Sequence, residues 1–398
     1  MPLKKNELLI PRGYLFSTAR AGIKYQGRDD MGLIFSERPA AVAGVFTRNR
    51  VKAAPVVITR RRLQRGTGRA ILVNSGNANA CTGEQGFRDA LLLSRELSRR
   101  LNIREGEVLL ASTGVIGTPL PVDRMRNALS ELTDGLKREG LKAIARAIMT
   151  TDTFEKYYST RFRVGKTDVT LSGVAKGAGM IAPQMATMLS FVLTDAALSP
   201  ETLKAALKEV VDDTFNCITV DGDMSTNDTV LIMANAASGA ASIGKRYYRQ
   251  FRDALYEVLD SLSRMIASDG EGATRLVTIL VQEAKTRADA KRAALCIANS
   301  PLVKTAVYGR DANWGRIMAA LGRSGARFRQ ERVKIMINNV EVVKGGLSTG
   351  RDDEAGRSME ENEEVVIHIS LGEGKESSRV YTCDLTEEYI RINAEYRT

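Results

Sequence analysis

The sequence predicts a mixed α/β protein, and three observations carry that prediction. Short apolar runs ending in polar turns alternate with longer segments whose apolar residues recur at helical spacing. At 43% hydrophobic and 26% charged, the composition is that of a globular chain with a sizeable core, not a disordered tail or a coiled coil. A length of 398 residues makes two domains the natural prior.

Along the chain, Gly44–Thr59 and Arg69–Ser75 read as strands. Glu84–Asn102 reads as an amphipathic helix with a Leu-rich face and an Arg-rich one. Glu107–Ser112 is a short buried strand running into Thr113-Gly114, and Asp123–Thr150 carries two helical segments broken near Gly135. Arg161–Val174 alternates like an exposed strand. Ser199-Pro200-Glu201 combines an N-cap, a proline at the first helical position and an acid, so a helix runs from there to about Asp213. Lys245–Ser268 reads as a long helix and Arg275–Glu283 as a strand. Thr286–Asn299 and Asn313–Gly322 read as helices, and Val333–Val343, Val365–Leu371 and Ser378–Cys383 as strands. No repeat or low-complexity linker interrupts them. A composition break near Ala284–Ala290 divides the chain into 1–285 and a smaller unit, 286–398.

Several function classes fall away. Met1–Pro11 carries Lys4 and Lys5 but no apolar core of a secretory signal. The longest uncharged stretch, Gly177–Thr194, is too rich in Gly, Pro, Gln, Ser and Thr to make a good membrane span. The expectation is a cytoplasmic protein. Cys81, Cys217, Cys296 and Cys383 are far apart and form no CxxC, which argues against a disulfide framework and a zinc site. The one histidine, His368, sits in the alternating run Glu364–Leu371 and reads as structural, so a Ser-His-Asp or Cys-His machine lacks its base. No GxxxxGK[ST] occurs, and neither Gly177-Ala178-Gly179 nor Gly270-Glu271-Gly272 completes GxGxxG. The net charge of +11 is uneven: residues 1–186 hold 31 basic and 16 acidic residues, the rest 27 and 31. Without a stacking motif of an RNA-binding sheet, the basic stretch Arg48–Arg69 reads first as a solvated face.

Four segments place small and polar residues where a core wants bulk. Asn74–Gly83 lies between a strand and a helix, as either a Gly/Asn turn or a ligand loop. Ser112–Gly117 ends a strand with Thr-Gly, which can aim backbone N–H groups and a hydroxyl at an oxyanion. Lys176–Ser190 leads from a lysine through glycines and a proline turn to Ala186-Thr187. It reads either as a buried loop into a strand or as a self-cleaving bond with Thr187 as nucleophile. Asp221–Thr229 spaces its acids like a calcium loop but lacks the glycine at the sixth position and the glutamate at the twelfth, so calcium is rejected.

Taken together these segments resemble the ornithine acetyltransferase (glutamate N-acetyltransferase) family of arginine biosynthesis. The resemblance covers nearly the whole chain. Beyond the first three segments it includes Ala43–Thr47 with Val51–Pro55, Thr151–Phe154, Asp221–Thr229, Gly309–Arg316, Thr382–Thr386 and Arg391–Asn393. Gln184 stands where the family usually has Asn, and Met224 where it usually has Thr.

The resemblance implies helices outside stacked sheets, of the N-terminal-nucleophile kind, with a smaller C-terminal α/β domain whose tail returns to the site. It implies self-cleavage between Ala186 and Thr187. It further implies acetyl transfer from N2-acetyl-L-ornithine to L-glutamate through an acetyl ester of Thr187. The freed α-amine of Thr187 would replace the missing histidine as base; such an amine titrates at roughly 7.7–8.0, near neutrality. Thr113 and Gly114 match the family's oxyanion hole. Thr153, Lys176, Thr187, Glu271, Asn393 and Thr398 match its substrate-binding positions. Charge complementarity suits Lys176 to a substrate carboxylate and Glu271 to a substrate ammonium. The resemblance implies no metal and no organic cofactor, leaves acetyl-CoA open as a second donor, and implies a heterotetramer of two of each cleaved chain. The alternatives are a self-processing amidase or aminopeptidase of similar fold, and, from charge alone, a nucleic-acid-binding protein.

Overall fold

A computed structural model describes residues 7–182 and 188–395. The chain opens with β1 (Tyr14–Ala19) and the long β2 (Met31–Phe46). Helix α1 (Ala54–Arg62) follows, then β3 (Thr67–Asn74), α2 (Gly83–Arg100), β4 (Val108–Ser112), α3 (Val122–Asp134) and α4 (Leu141–Ala147). A hairpin of β5 (Lys156–Val164) and β6 (Thr167–Lys176) precedes β7 (Leu189–Thr194), α5 (Pro200–Asp213), β8 (Thr229–Ala234) and α6 (Tyr248–Ser268).

Two expectations fail here. Gly44–Thr59 is not one strand: β2 stops at Phe46, and the β-branched run Val56–Thr59 is helical. Pro55 pre-sets the first turn, and Arg60, Arg61 and Arg62 face the helix's negative end. Tertiary contact overrides propensity, since Thr59 Oγ1 both donates to Leu110 O (2.8 Å) and accepts from Leu110 N–H (2.7 Å). Arg161–Val174 is likewise two antiparallel strands, with Val164 opposite Thr167.

One hydrogen-bonded sheet runs β4-β3-β2-β8-β7-β6-β5, with β1 added on β2. It folds over on itself because β2 is bent: its register to β3 slips between Phe35 and Ala40, around exposed Glu37, Arg38 and Pro39. The first half of β2 pairs β1 and β3; its last six residues pair β8. The halves stack through Tyr14, Phe16, Ile34 and Ile71 against Val174, Phe191, Leu193 and Met233. Tyr14 crosses the seam, its hydroxyl donating to Met233 O at 2.9 Å. Outside, α2 and α3 pack Leu93, Leu97 and Leu129 on one half, and α5 and α6 pack Leu207, Phe251 and Leu262 on the other. The product is a helix–sheet–sheet–helix sandwich in which every residue of β7 and β8 is buried. Phe251, fully buried and 6.0 Å from the Phe162 ring, anchors α6. Phe251→Ala should cost about 3–5 kcal/mol, read as a lower urea midpoint with an unchanged slope.

The second unit contains β9 (Leu276–Ala284), α7 (Arg287–Ala298), α8 (Pro301–Tyr308), α9 (Trp314–Gly322), β10 (Lys334–Ile337), β11 (Val340–Lys344) and β12 (Leu347–Ser348). It ends with α10 (Asp352–Glu361), β13 (Glu364–Ser370), β14 (Glu376–Cys383) and α11 (Glu387–Glu395). Its sheet runs β12-β11-β10-β13-β9-β14, with β9 parallel to β13. Because β9 is an inner strand of this sheet, the domain boundary belongs between Ser268 and Leu276 rather than at residue 286. The Ala284–Ala290 composition break marks the turn from β9 into α7, whose Thr286 cap accepts from Asp289 N–H. Val333–Val343 is a hairpin rather than one strand, turning at Asn338. His368 bonds Gln282 Oε1 at 2.8 Å on a neighbouring strand.

Candidate active site

Strand register brings the four singled-out segments to one end of the folded sheet. Asn74 lies opposite Ser112, so the loops that follow β3 and β4 leave side by side. In the other half Phe46, Thr229, Leu189 and Lys176 form one row. Between the two halves opens a cavity of about 130 Å³, lined by Thr113, Gly114, Lys176, Glu271, Tyr389 and Asn393 among others.

The Thr113-Gly114 corner is pinned from several sides. Ser112 Oγ donates to Asn74 Oδ1 (2.6 Å), and Thr113 N–H donates to Asn74 O (3.0 Å). Asn227 Nδ2 donates to both Ser112 O (2.8 Å) and Ala78 O (2.7 Å). Gly114, at φ +133°, lies against the Gly76–Asn77 peptide. Thr113 and Gly114 both line the cavity, and among the described residues no acceptor lies within hydrogen-bond geometry of the Gly114 N–H or the Thr113 hydroxyl.

Opposite them, Lys176 is 3% exposed, with its ammonium on Thr150 Oγ1 (2.7 Å) and 3.9 Å from Asp152. Burial pulls the Lys176 ammonium down from its usual value, and Asp152 pulls it partly back. Burial would push the Asp152 carboxyl up; the Lys156 and Lys176 ammoniums override it and hold Asp152 well below the ordinary carboxylate range. Glu271 lies across Gly179, where a Cβ would come within 2.3 Å of its carboxyl. Glu271 Oε2 accepts from Asn393 Nδ2 at 2.8 Å. Helix α11 therefore closes the cavity, although the sequence there reads as a frayed tail; Thr386 Oγ1 on Gly272 O (2.7 Å) and the Tyr389 hydroxyl on Asp221 (3.3 Å) fix its start.

Thr153 stands one step back from the cavity, its N–H (3.0 Å) and hydroxyl both donated to Asp269. Ala186, Thr187 and Thr398, and with them Gln184, lie outside the described residues. The described chain resumes at Met188, whose N–H donates to Asp228 Oδ1 (3.1 Å). Asp228 is fully buried, its second oxygen has no partner among the described residues, and burial pushes the carboxyl well above its ordinary range. The O of Met224 accepts from Asn49 Nδ2 at 3.0 Å, a backbone role open to any residue. The sequence by itself marks none of Asp152, Lys156, Asp228 and Asp269 as site residues. The motif Thr151–Phe154 and the segment Asp221–Thr229 contain two of them; nothing in the sequence pointed to Lys156 or Asp269.

Residues 15–398 match the ArgJ family. The chain belongs to that family. It is 50% identical over 390 residues to the arginine biosynthesis bifunctional protein ArgJ of Geobacter sulfurreducens, covering 97% of this chain and 99% of that one. It is 47% identical over 392 residues to the protein of the same name from Symbiobacterium thermophilum, covering 98% of each. The crystal structure of the Bacillus halodurans ArgJ protein matches with a TM-score of 0.52 at 42% identity, covering 53% of this chain and 100% of that one. As a member of the ArgJ family the protein is an enzyme of arginine biosynthesis. Among the described residues no helix is long and apolar enough to cross a membrane, and no cluster of His, Cys, Asp and Glu could hold a metal ion.

Proposed function

We propose that the protein moves an acetyl group from N2-acetyl-L-ornithine to L-glutamate, with Thr187 as the carrier. One observation carries the reading: Lys176 and Glu271, of opposite charge, line the same small cavity as the uncommitted Thr113 hydroxyl and Gly114 N–H. That arrangement suits an N-acetylated amino acid. Lys176 faces its α-carboxylate, Glu271 with Asn393 its side-chain ammonium, and the Thr113-Gly114 corner its acetyl oxygen. Thr153, reached through Asp269, and Thr398 complete the substrate contacts that the family resemblance assigns.

The steps balance. After cleavage, the Thr187 α-amine takes the proton of the Thr187 hydroxyl as that oxygen attacks the acetyl carbon. The oxyanion is held at Thr113 and Gly114, the C–N bond breaks, and the proton passes to the leaving ornithine nitrogen. The glutamate α-amine then attacks the Thr187 ester carbonyl, the Thr187 α-amine takes its proton, the C–Oγ bond breaks, the proton passes to Oγ, and N-acetylglutamate leaves. Donor and acceptor carry side chains of opposite charge and share one cavity, so each visits in turn. We further propose that the two chains stay together as a heterotetramer of two of each. The relatives' naming as bifunctional proteins supports acetyl-CoA as a second donor, for amino-acid N-acetyltransferase activity.

Incubation with acetylornithine alone, followed by acid quench, should yield a larger fragment heavier by one acetyl group, and glutamate added before the quench should remove it. Initial rates at several glutamate concentrations should give parallel lines. Intersecting lines with no acetylated fragment would mean direct transfer in a ternary complex. Release of acetate in place of acetylglutamate would mark an amidase instead.

A further inference from the structure

We infer that Lys156 is a positioning residue for the substrate-binding lysine: wedged between Asp152 and Asp269, its ammonium balances both carboxylates and so leaves Lys176 free to face the cavity. The inference rests on the reading of Lys176 as the partner of the substrate carboxylate.

Lys156 opens β5 and is fully buried, a placement that lysine adopts only with partners. Its ammonium donates to Asp152 Oδ1 (2.7 Å) and to Asp269 Oδ2 (2.5 Å) and lies 4.8 Å from the Phe154 ring. Each aspartate in turn holds a wall of the site. Asp152 accepts the N–H groups of Gly177 (2.7 Å) and Thr150 (3.0 Å), so it fixes both the turn after Lys176 and the threonine on which Lys176 rests. Asp269, just past the end of α6, accepts from the N–H and hydroxyl of Thr153. Two aspartates and two lysines thus share one buried cluster, and the charges balance only while Lys156 is present.

Lys176 touches this cluster more loosely, 3.9 Å from Asp152 Oδ2 against 2.7 Å from the Thr150 hydroxyl. Without Lys156 two buried carboxylates would face one ammonium. Uncompensated buried charge is strongly unfavourable, so Lys176 would be drawn onto Asp152 and away from the substrate. A bland account, in which Lys156 merely fills space, predicts lost stability without selective loss of carboxylate binding.

Lys156→Met separates the two. The variant should raise KM for acetylornithine and for glutamate about tenfold or more while kcat changes less than about threefold, the mark of lost ground-state binding. Unchanged KM in an active, folded Lys156→Met enzyme would overturn the inference, as would a fall in kcat alone. If Lys156→Met does not fold, Lys156→Gln, which keeps a donor toward the carboxylates but no charge, carries the test, and an unchanged KM in it would overturn the inference. A parent enzyme that made no acetylglutamate would overturn the proposed function, and the positioning role with it.

Discussion

Thr187→Ala is expected to give one uncut chain of 398 residues with no transferase activity, where the parent should give two. Scaling the 43.5 kDa chain by length puts the parent fragments at about 20 and 23 kDa. Edman sequencing of the larger should begin Thr-Met-Leu-Ser. The chain has one histidine, and His368 lies in the second sheet, bonded to Gln282 on a neighbouring strand. A hydroxyl nucleophile in the sandwich therefore needs another base. The proposed cleavage before Thr187 would supply one, since a peptide nitrogen accepts no proton at neutral pH whereas an α-amine does. In the proposed mechanism the same hydroxyl starts the cut and carries the acetyl group, so its removal should abolish both. Thr187→Ser keeps a hydroxyl and should retain cleavage. A Thr187→Ala protein that still appeared as two chains would show that cleavage comes from elsewhere. An intact parent with full activity would be incompatible with an N-terminal nucleophile.

Local signals were legible where one residue type has one physical use. The Ser199 cap accepts from Thr202 N–H as its pattern requires, and the apolar spacing of Glu84–Asn102 and Lys245–Ser268 marks α2 and α6 closely. The loops that line the cavity stood out because small and polar residues replaced bulk after strands. What stayed hidden depends on contacts distant in sequence. Lys156 and Asp269 are 113 residues apart, and neither belongs to a motif of its own. Val56–Thr59 favours a strand until Thr59 meets Leu110. Helix α11 buries no residue fully, so its sequence reads as a tail; only its bonds to Gly272, Asp221 and Glu271 give it a place. The composition break near Ala284–Ala290 misplaces the domain boundary for a related reason. A composition change marks a turn, whereas a boundary is set by which strands pair.

Gly114→Ala is the substitution expected to damage turnover most while leaving Thr187 in place. At φ +133° a side chain is strained, and here it would also collide with backbone: a Cβ would sit 2.2 Å from Gly76 C and 2.4 Å from Asn77 N. Neither atom is the end of a flexible chain, so the peptide after Thr113 must shift. That shift moves the one backbone N–H at the corner that no described group accepts. Loss of one such donor costs about 2.7–4 kcal/mol of transition-state stabilisation, or roughly 10²–10³ in kcat. Backbone strain of about 1–3 kcal/mol should lower stability as well. Gly117→Ala separates the two effects. Gly117 also has a positive φ, +81°, but has nothing within 4 Å of its would-be Cβ. It should therefore show the stability loss with less than about a tenfold fall in kcat. Thr113→Ala, which removes the hydroxyl but leaves the backbone, should lower kcat far more than it raises KM for acetylornithine. Equal kcat losses in Gly114→Ala and Gly117→Ala would assign the effect to strain and leave the corner without an oxyanion role.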